Sequence, residues 1–201
     1  MTLTKSERTS RFIIETTAPI FNRNGYAATS MSAITEATGL TKGAIYGNFK
    51  NKEELAIEAF RCNVKRVLQQ VREYQEKGST PLQKLLLIVD FYSKYSDFSR
   101  EMGGCPILNI GVDSNHQNEK LLHRVRSIIR KIERSLADII EEGKSNGELK
   151  KDLDASESAR QMFSMIEGAI FMSLTMDDSS YINSTMDMLK HIIRTEWHNA
   201  Q

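Results

Sequence analysis

Residues 25–55 read GYAATSMSAITEATGLTKGAIYGNFKNKEEL, and the order of residue types in this stretch spells two short helices joined by a tight turn. Hydroxyl residues stand where each helix should open, Thr29 or Ser30 before the first and Thr41 before the second. Their oxygens accept hydrogen bonds from N–H groups that lack a partner in the first helical turn. The helices are expected over about 31–38 and 42–48. Between them lies Gly39, which has no Cβ to clash in the left-handed conformation that ends a helix sharply. Ile34, Ala37, Leu40, Ile45 and Phe49 are the apolar positions that lock both small helices onto a preceding one. Helix, glycine turn, helix is the plan of a helix-turn-helix module.

In such a module the second helix enters the major groove of DNA by its N-terminal end, so side chains there must be short or hydrogen-bonding. Gly43 and Ala44 meet that need, because the backbone can then approach the duplex and its free N–H groups attract phosphate. Lys42 adds a positive charge. Tyr46 offers a hydroxyl to phosphate and a ring to a sugar or thymine methyl, and Asn48 offers an amide. With Gly25-Tyr26, Thr29-Ser30, Lys52 and Leu55 at matching spacing and no gap, the stretch resembles the DNA-binding region of the TetR family of repressors. The resemblance implies a DNA-contacting set of Thr29, Ser30, Thr41, Lys42, Gly43, Ala44, Tyr46, Asn48 and Lys52. It implies a homodimer whose partner is a double-stranded operator with an inverted repeat, and a long helix from near Lys52 that passes motion between the head and a sensing body. A small-molecule inducer would release the DNA.

Outward from this stretch, apolar residues at helical spacing (Ile13, Ile20, Phe21) predict a first helix over about 6–24, stopped by Gly25 and open to a kink at Pro19. Residues 1–51 are thus expected to form the DNA-binding domain and 52–201 the sensing and dimerisation domain. A stripe from Leu55 to Tyr74 predicts a long helix to about 77, ended by Gly78-Ser79-Thr80-Pro81. Pro81 opens another, expected to reach Ser99. Residues 102–118 read as loop with a helical turn or two. Leu121 to Ile139 spell a long amphipathic helix closed by Gly143 and Gly147. Asp154 with Glu157 has the form of a capping box before a helix to about Thr175, and Ser179 or Ser180 should cap the last one. Without strand-like alternation or repeats, the chain reads as all-α, with about nine helices.

Composition agrees with a helical regulator. Of 201 residues, 3 are Pro and 11 Gly, too few breakers for a loop-rich fold. The net charge of +1 hides an asymmetry, because residues 1–52 carry 7 Lys/Arg against 3 Asp/Glu. A basic head on an acidic body suits DNA binding. No apolar run approaches the ~20 residues of a spanning helix, and the N-terminus lacks the apolar segment of a signal peptide. The expectation is a cytoplasmic protein without membrane attachment. Two cysteines exclude a disulfide framework.

The sensing body carries weaker signals. Phe91, Tyr92, Tyr95, Met102, Cys105, Met162, Phe163 and Phe171 are candidates to line a ligand pocket, since soft and aromatic side chains suit adaptable surfaces. The last two helices are implied to pair across a twofold axis, with Met165, Gly168, Ala169, Met172, Leu189 and Ile193 at the interface. Met102-Gly103-Gly104-Cys105-Pro106-Ile107-Leu108-Asn109 resembles a Gly-Cys-Pro segment found in one branch of TetR-like regulators. Cys105 before Pro106 would stand at a helix N-terminus, where a thiolate is stabilised, so a thiol-reactive inducer is a second expectation beside pocket lining. His116, Glu119 and His123 fall short of a metal site, and no cofactor or catalytic residue is assigned. A cysteine-dependent enzyme and a helical protein-binding adaptor are the alternatives. Neither explains Thr41-Lys42-Gly43 with Tyr46.

Overall fold

The computed structural model describes residues 4–199, with the side chains of 96, 97 and 101 excepted. The described chain is all-α: α1 Lys5–Ala28, α2 Met31–Thr38, α3 Lys42–Tyr46, α4 Lys52–Gln75, α5 Pro81–Ser93, α6 Tyr95–Met102, α7 Pro106–Ser114, α8 Glu119–Ser145, α9 Ala155–Met176 and α10 Ser180–Ile192, closed by a π-helical turn at Ile193–Trp197. Ten helices stand where about nine are expected. The expected helix from Pro81 to Ser99 is divided at Lys94 (φ −106°, ψ 5°), and the expected loop over 102–118 contains the nine-residue α7.

The chain divides into two compact units. One comprises the sequence up to Val67 together with Arg100–Arg126, and the other comprises Leu68–Ser99 with Ser127 onward. The first unit therefore contains the helix-turn-helix, the start of α4, and the whole Gly-Cys-Pro segment with α7.

Its core is made by Ile13 and Phe21 of α1, Ile34 of α2, Ile45 of α3, and Leu55 and Phe60 of α4, all buried. Burying one such side chain contributes about 1.5–3 kcal/mol. A capping box opens α1: the Glu7 N–H donates to Thr4 Oγ1 at 3.2 Å and the Thr4 N–H to Glu7 Oε2 at 2.7 Å. The helix runs through Pro19 with helical torsions and leaves them only at Gly25 (φ 78°, ψ 172°).

That break is closed from α7. The Tyr26 N–H, released from the helical ladder, donates to Asp113 Oδ2 at 2.6 Å, and the Thr29 hydroxyl donates to the Gly25 carbonyl at 2.6 Å. A Cβ at residue 25 would stand 2.6 Å from Asp113 Oδ1, so glycine is required both by the positive φ and by the approach of the carboxylate. One helical turn earlier on α1, Asn22 Nδ2 donates to the carbonyls of Met102 (2.7 Å) and Gly104 (2.8 Å), while Asn109 Nδ2 donates back to those of Asn22 (2.8 Å) and Gly103 (2.9 Å). Gly104 has φ 106°, and a Cβ there would lie 2.7 Å from Asn109 Nδ2. The glycines before Cys105 thus let an asparagine pair fasten α7 to α1.

In the second unit Thr80 caps α5 by accepting from the Gln83 N–H. Asp154 accepts from the Glu157 N–H at 3.0 Å to open α9. Ser179 precedes α10 without capping it through its side chain; Asp178 Oδ1 takes the Ser180 N–H instead, at 2.8 Å. The helix α8 passes through Gly143, where a Cβ would meet the Leu149 side chain at 2.7 Å. The Trp197 carbonyl accepts from the Lys150 N–H at 2.9 Å, tying the π-helical turn to the α8–α9 connection.

Asp113→Ala should lower unfolding stability by about 1–3 kcal/mol, because it strands the Tyr26 N–H, and Gly25→Ala should cost at least as much. Urea unfolding checks both, as a lower midpoint at constant slope; wild-type midpoints would show that the α1–α7 seam carries no weight.

Candidate nucleic-acid interface and cavity

The turn between α2 and α3 forms as its residues dictate. Ser30 caps α2 by accepting from the Ala33 N–H at 3.1 Å, Gly39 ends it in the left-handed region (φ 65°), and Thr41 caps α3 by accepting from the Ala44 N–H at 3.2 Å. The helix α3 buries Ile45 and presents the other side: Lys42 and Gly43 are exposed, and Tyr46 is 45% exposed. Ser30 and Thr41 are exposed beside them, and Ala44 is half-buried.

Two expected contact residues are engaged elsewhere. Thr29 is fully buried with its hydroxyl spent on Gly25. Asn48 accepts from the Ser10 hydroxyl at 2.9 Å, which pins it to α1, and donates to the Ala44 carbonyl at 2.8 Å, so each end of its amide holds one partner. Lys52 lies 4.6 Å above the Tyr26 ring centroid and within 3.5 Å of the Ala27 carbonyl. Burial pushes its ammonium below the usual value, against the attraction of Asp113. Beside it, Lys120 of α8 donates to Glu53 at 2.7 Å, holds that carboxyl below the usual range, and ties the starts of α4 and α8 together.

The second unit encloses a cavity of about 500 Å³, within the range of small-molecule sites. Its floor is apolar and buried: Ile88 and Tyr92 of α5, Leu136 of α8, and Phe163 and Ile166 of α9. Leu68 and Val71 of α4 and Ile132 of α8 continue the wall. Arg72, Glu76, Lys131 and Ser135, all exposed, form its rim.

The sequence profile described as "Bacterial regulatory proteins, tetR family" matches residues 13–59, and that described as "Tetracyclin repressor-like, C-terminal domain" matches residues 81–189. The chain belongs to the TetR family. Among solved structures it is similar to a TetR-family transcriptional regulator from Cytophaga hutchinsonii, at 35% identity and TM-score 0.92 over 100% of both chains. A TetR transcriptional regulator from Chloroflexus aurantiacus J-10-FL is 28% identical with TM-score 0.93, over 98% of this chain and 100% of that one. The "Fatty acid metabolism regulator protein" of Bacillus subtilis (strain 168) is 26% identical over 183 residues, 88% of this chain and 91% of its own length.

As a TetR-family chain, the protein distributes the pocket candidates unevenly. Tyr92 and Phe163 line the cavity. Phe91 and Tyr95 pack instead in an aromatic cluster, with Phe91 centred 5.0 Å from Tyr92, 5.7 Å from Tyr95 and 5.5 Å from Tyr74. Met162 is buried away from the lining, and Phe171 is 47% exposed on α9. Met102 and Cys105 belong to the first unit, in the segment bound to α1. Cys105 is the N-cap residue of α7, as the proline after it implies, and it is 3% exposed. Cys62 is half-buried, and burial pushes its thiol up. Among the interface candidates, Ala169, Leu189 and Ile193 are buried in the chain's own core, whereas Met165 is half-buried and Gly168 and Met172 are exposed. Among the described residues no three His, Cys, Asp or Glu side chains gather in a metal-binding group, and no helix is long and apolar enough to cross a membrane. Asn22, Asn109 and Asp113 escaped the sequence reading; a polar side chain inside an otherwise apolar helical stripe was their one signal.

Thr29→Ala should lower unfolding stability by about 1 kcal/mol through loss of a buried hydrogen bond. Tyr46→Ala, on an open surface, should stay within about 0.5 kcal/mol of wild type. Parallel urea titrations decide the assignment, and a destabilised Tyr46→Ala would make Tyr46 a packing residue.

Proposed function

We propose that the protein is a transcriptional repressor that grips an inverted-repeat operator as a homodimer and is released by a small molecule bound in the second unit. The observation that carries this reading is α3, which keeps Lys42, Gly43 and Tyr46 outside the core while Ile45 anchors it from behind. Lys42 and the Tyr46 hydroxyl suit phosphate, the Tyr46 ring suits a sugar or thymine methyl, and Gly43 admits the backbone to the groove. Ser30, Thr41 and Ala44 flank this surface. Thr29 and Asn48 act on it from within, by fixing the helices, and Lys52 does so unless DNA draws it from Tyr26.

For the dimer, the support is the outer face of α9. Met165, Gly168, Met172 and Met176 recur at helical spacing, Met176 is 55% exposed, and a Cβ at Gly168 would meet nothing within 4 Å. An apolar stripe with a small residue at its middle suits close packing against a twofold mate. Phe171 and, on α10, Met188 add exposed apolar surface.

For ligand release, the support is that the cavity is walled by α4 and α8, whose N-terminal parts belong to the first unit and carry Lys52, Glu53 and Lys120. A ligand that shifts the cavity walls acts on the same two helices. A preference of about 1.4 kcal/mol between two arrangements changes operator affinity tenfold. The burial of Cys105 favours a non-covalent inducer over a thiol-reactive one. The surrounding relatives are regulators, which favours this reading over an enzyme, and the reading places the protein in the cytoplasm with its DNA.

Operator affinity, measured by fluorescence anisotropy on a fragment selected from genomic DNA, should fall steeply with salt as bound phosphates shed counterions. Tyr46→Ala should weaken it by about 1–3 kcal/mol. Met172→Glu should shift the dimer toward monomer in sedimentation and weaken binding with it. A salt-insensitive, non-selective monomer would refute the proposal.

A further inference from the structure

The cavity does not look equally on cations, anions and neutral molecules. Its floor offers Ile88, Tyr92, Phe163 and Ile166, with no formal charge among them. Around it stand three cations, Arg72, Lys84 and Lys131, against one anion, Glu76. Lys84 has a partner, Glu142, at 3.4 Å. Arg72 and Lys131 make no ion pair with any described residue. One comes from α4 and the other from α8, so the cavity is flanked on both of those helices by a cationic side chain that forms no ion pair with a described residue, and Glu76 is the one acidic residue of the lining. Burial orders the site: Ile88, Tyr92, Phe163 and Ile166 are buried, and Arg72 and Lys131 are exposed at the mouth.

A neutral apolar ligand would leave the two cations idle, and a cation would meet them as like charges. An anion joined to an apolar body satisfies both layers: its body takes the place of water over the floor, and its head forms charge-assisted hydrogen bonds at the rim. We propose that the inducer is an amphiphilic anion, with an alkyl or aryl body over Ile88, Tyr92, Phe163 and Ile166 and an anionic head held by Arg72 and Lys131. This rests on the reading of the cavity as the inducer site. It adds a mechanism, since a head group bridging Arg72 and Lys131 draws α4 and α8 toward one ligand.

The test uses the full chain and calorimetric titration with decanoate, 2-naphthoate, decyltrimethylammonium and 1-decanol. The expected result is that at least one of the two carboxylates binds about tenfold or more tightly than decanol, with the ammonium weakest, since a charge-assisted contact is worth that factor. Arg72→Gln combined with Lys131→Gln, both at exposed positions that leave the fold intact, should erase the preference while decanol binding stays unchanged. Ile88→Trp, with circular dichroism confirming its fold, should abolish binding of all probes. Equal or tighter binding of decanol or the ammonium, an anion preference that survives the double variant, or no binding of either carboxylate overturns the proposal. A separate anisotropy titration on operator DNA distinguishes the two readings: a carboxylate that binds with the expected rim dependence but leaves operator affinity unchanged supports the ligand class and refutes the regulatory role of the cavity.

Discussion

The Asp113 carboxylate, set against a break in the first helix, is the contact on which the arrangement of the first unit depends. A helix interrupted at Gly25 exposes an N–H at Tyr26, and a buried donor without an acceptor costs about 1–3 kcal/mol. Asp113 supplies that acceptor at 2.6 Å. In doing so it fixes α7 against α1, and its charge opposes the desolvation of Lys52, which is held over the Tyr26 ring. The asparagine pair Asn22 and Asn109 extends the seam toward the Gly-Cys-Pro segment. The compact unit that contains the helix-turn-helix also includes Arg100–Arg126.

This seam gives the Gly103-Gly104-Cys105-Pro106 motif a packing role. Gly103 and Gly104 bring their carbonyls within reach of Asn109 and Asn22, respectively, and the missing Cβ at Gly104 clears space for the Asn109 side chain. Cys105 is enclosed by the same arrangement. The motif fastens α1 to α7, and the cavity lies in the other unit, walled by α4, α5, α8 and α9.

The parts of the fold written in local signals were legible in the sequence. Ser30, Gly39 and Thr41 act on N–H groups or torsions within three residues of themselves, so their roles follow from type and position. The same holds for Asp154 before α9. What joins distant segments was not legible, because nothing beside Asn22 announces carbonyls eighty residues away. Periodicity shows that a helix has an apolar face but not what covers it. Leu189 and Ile193 therefore turned out to fill the chain's own core, while Met172 and Met176 remained outside. Likewise, adjacent aromatic residues of α5 meet different neighbours: Phe91 packs edge-on against Tyr74 of α4, whereas Tyr92, in the same cluster, also lines the cavity.

The repressor reading requires that α3 meets operator DNA. Site-specific photo-crosslinking tests it most directly: a photoreactive phenylalanine analogue placed at Tyr46, and in a second protein at Phe171, is irradiated in complex with operator DNA and the adducts are mapped by primer extension. Adducts are expected from position 46 at symmetry-related nucleotides in the two half-sites, and protein–protein rather than DNA adducts from position 171. DNA adducts from 171 with none from 46 would contradict that reading.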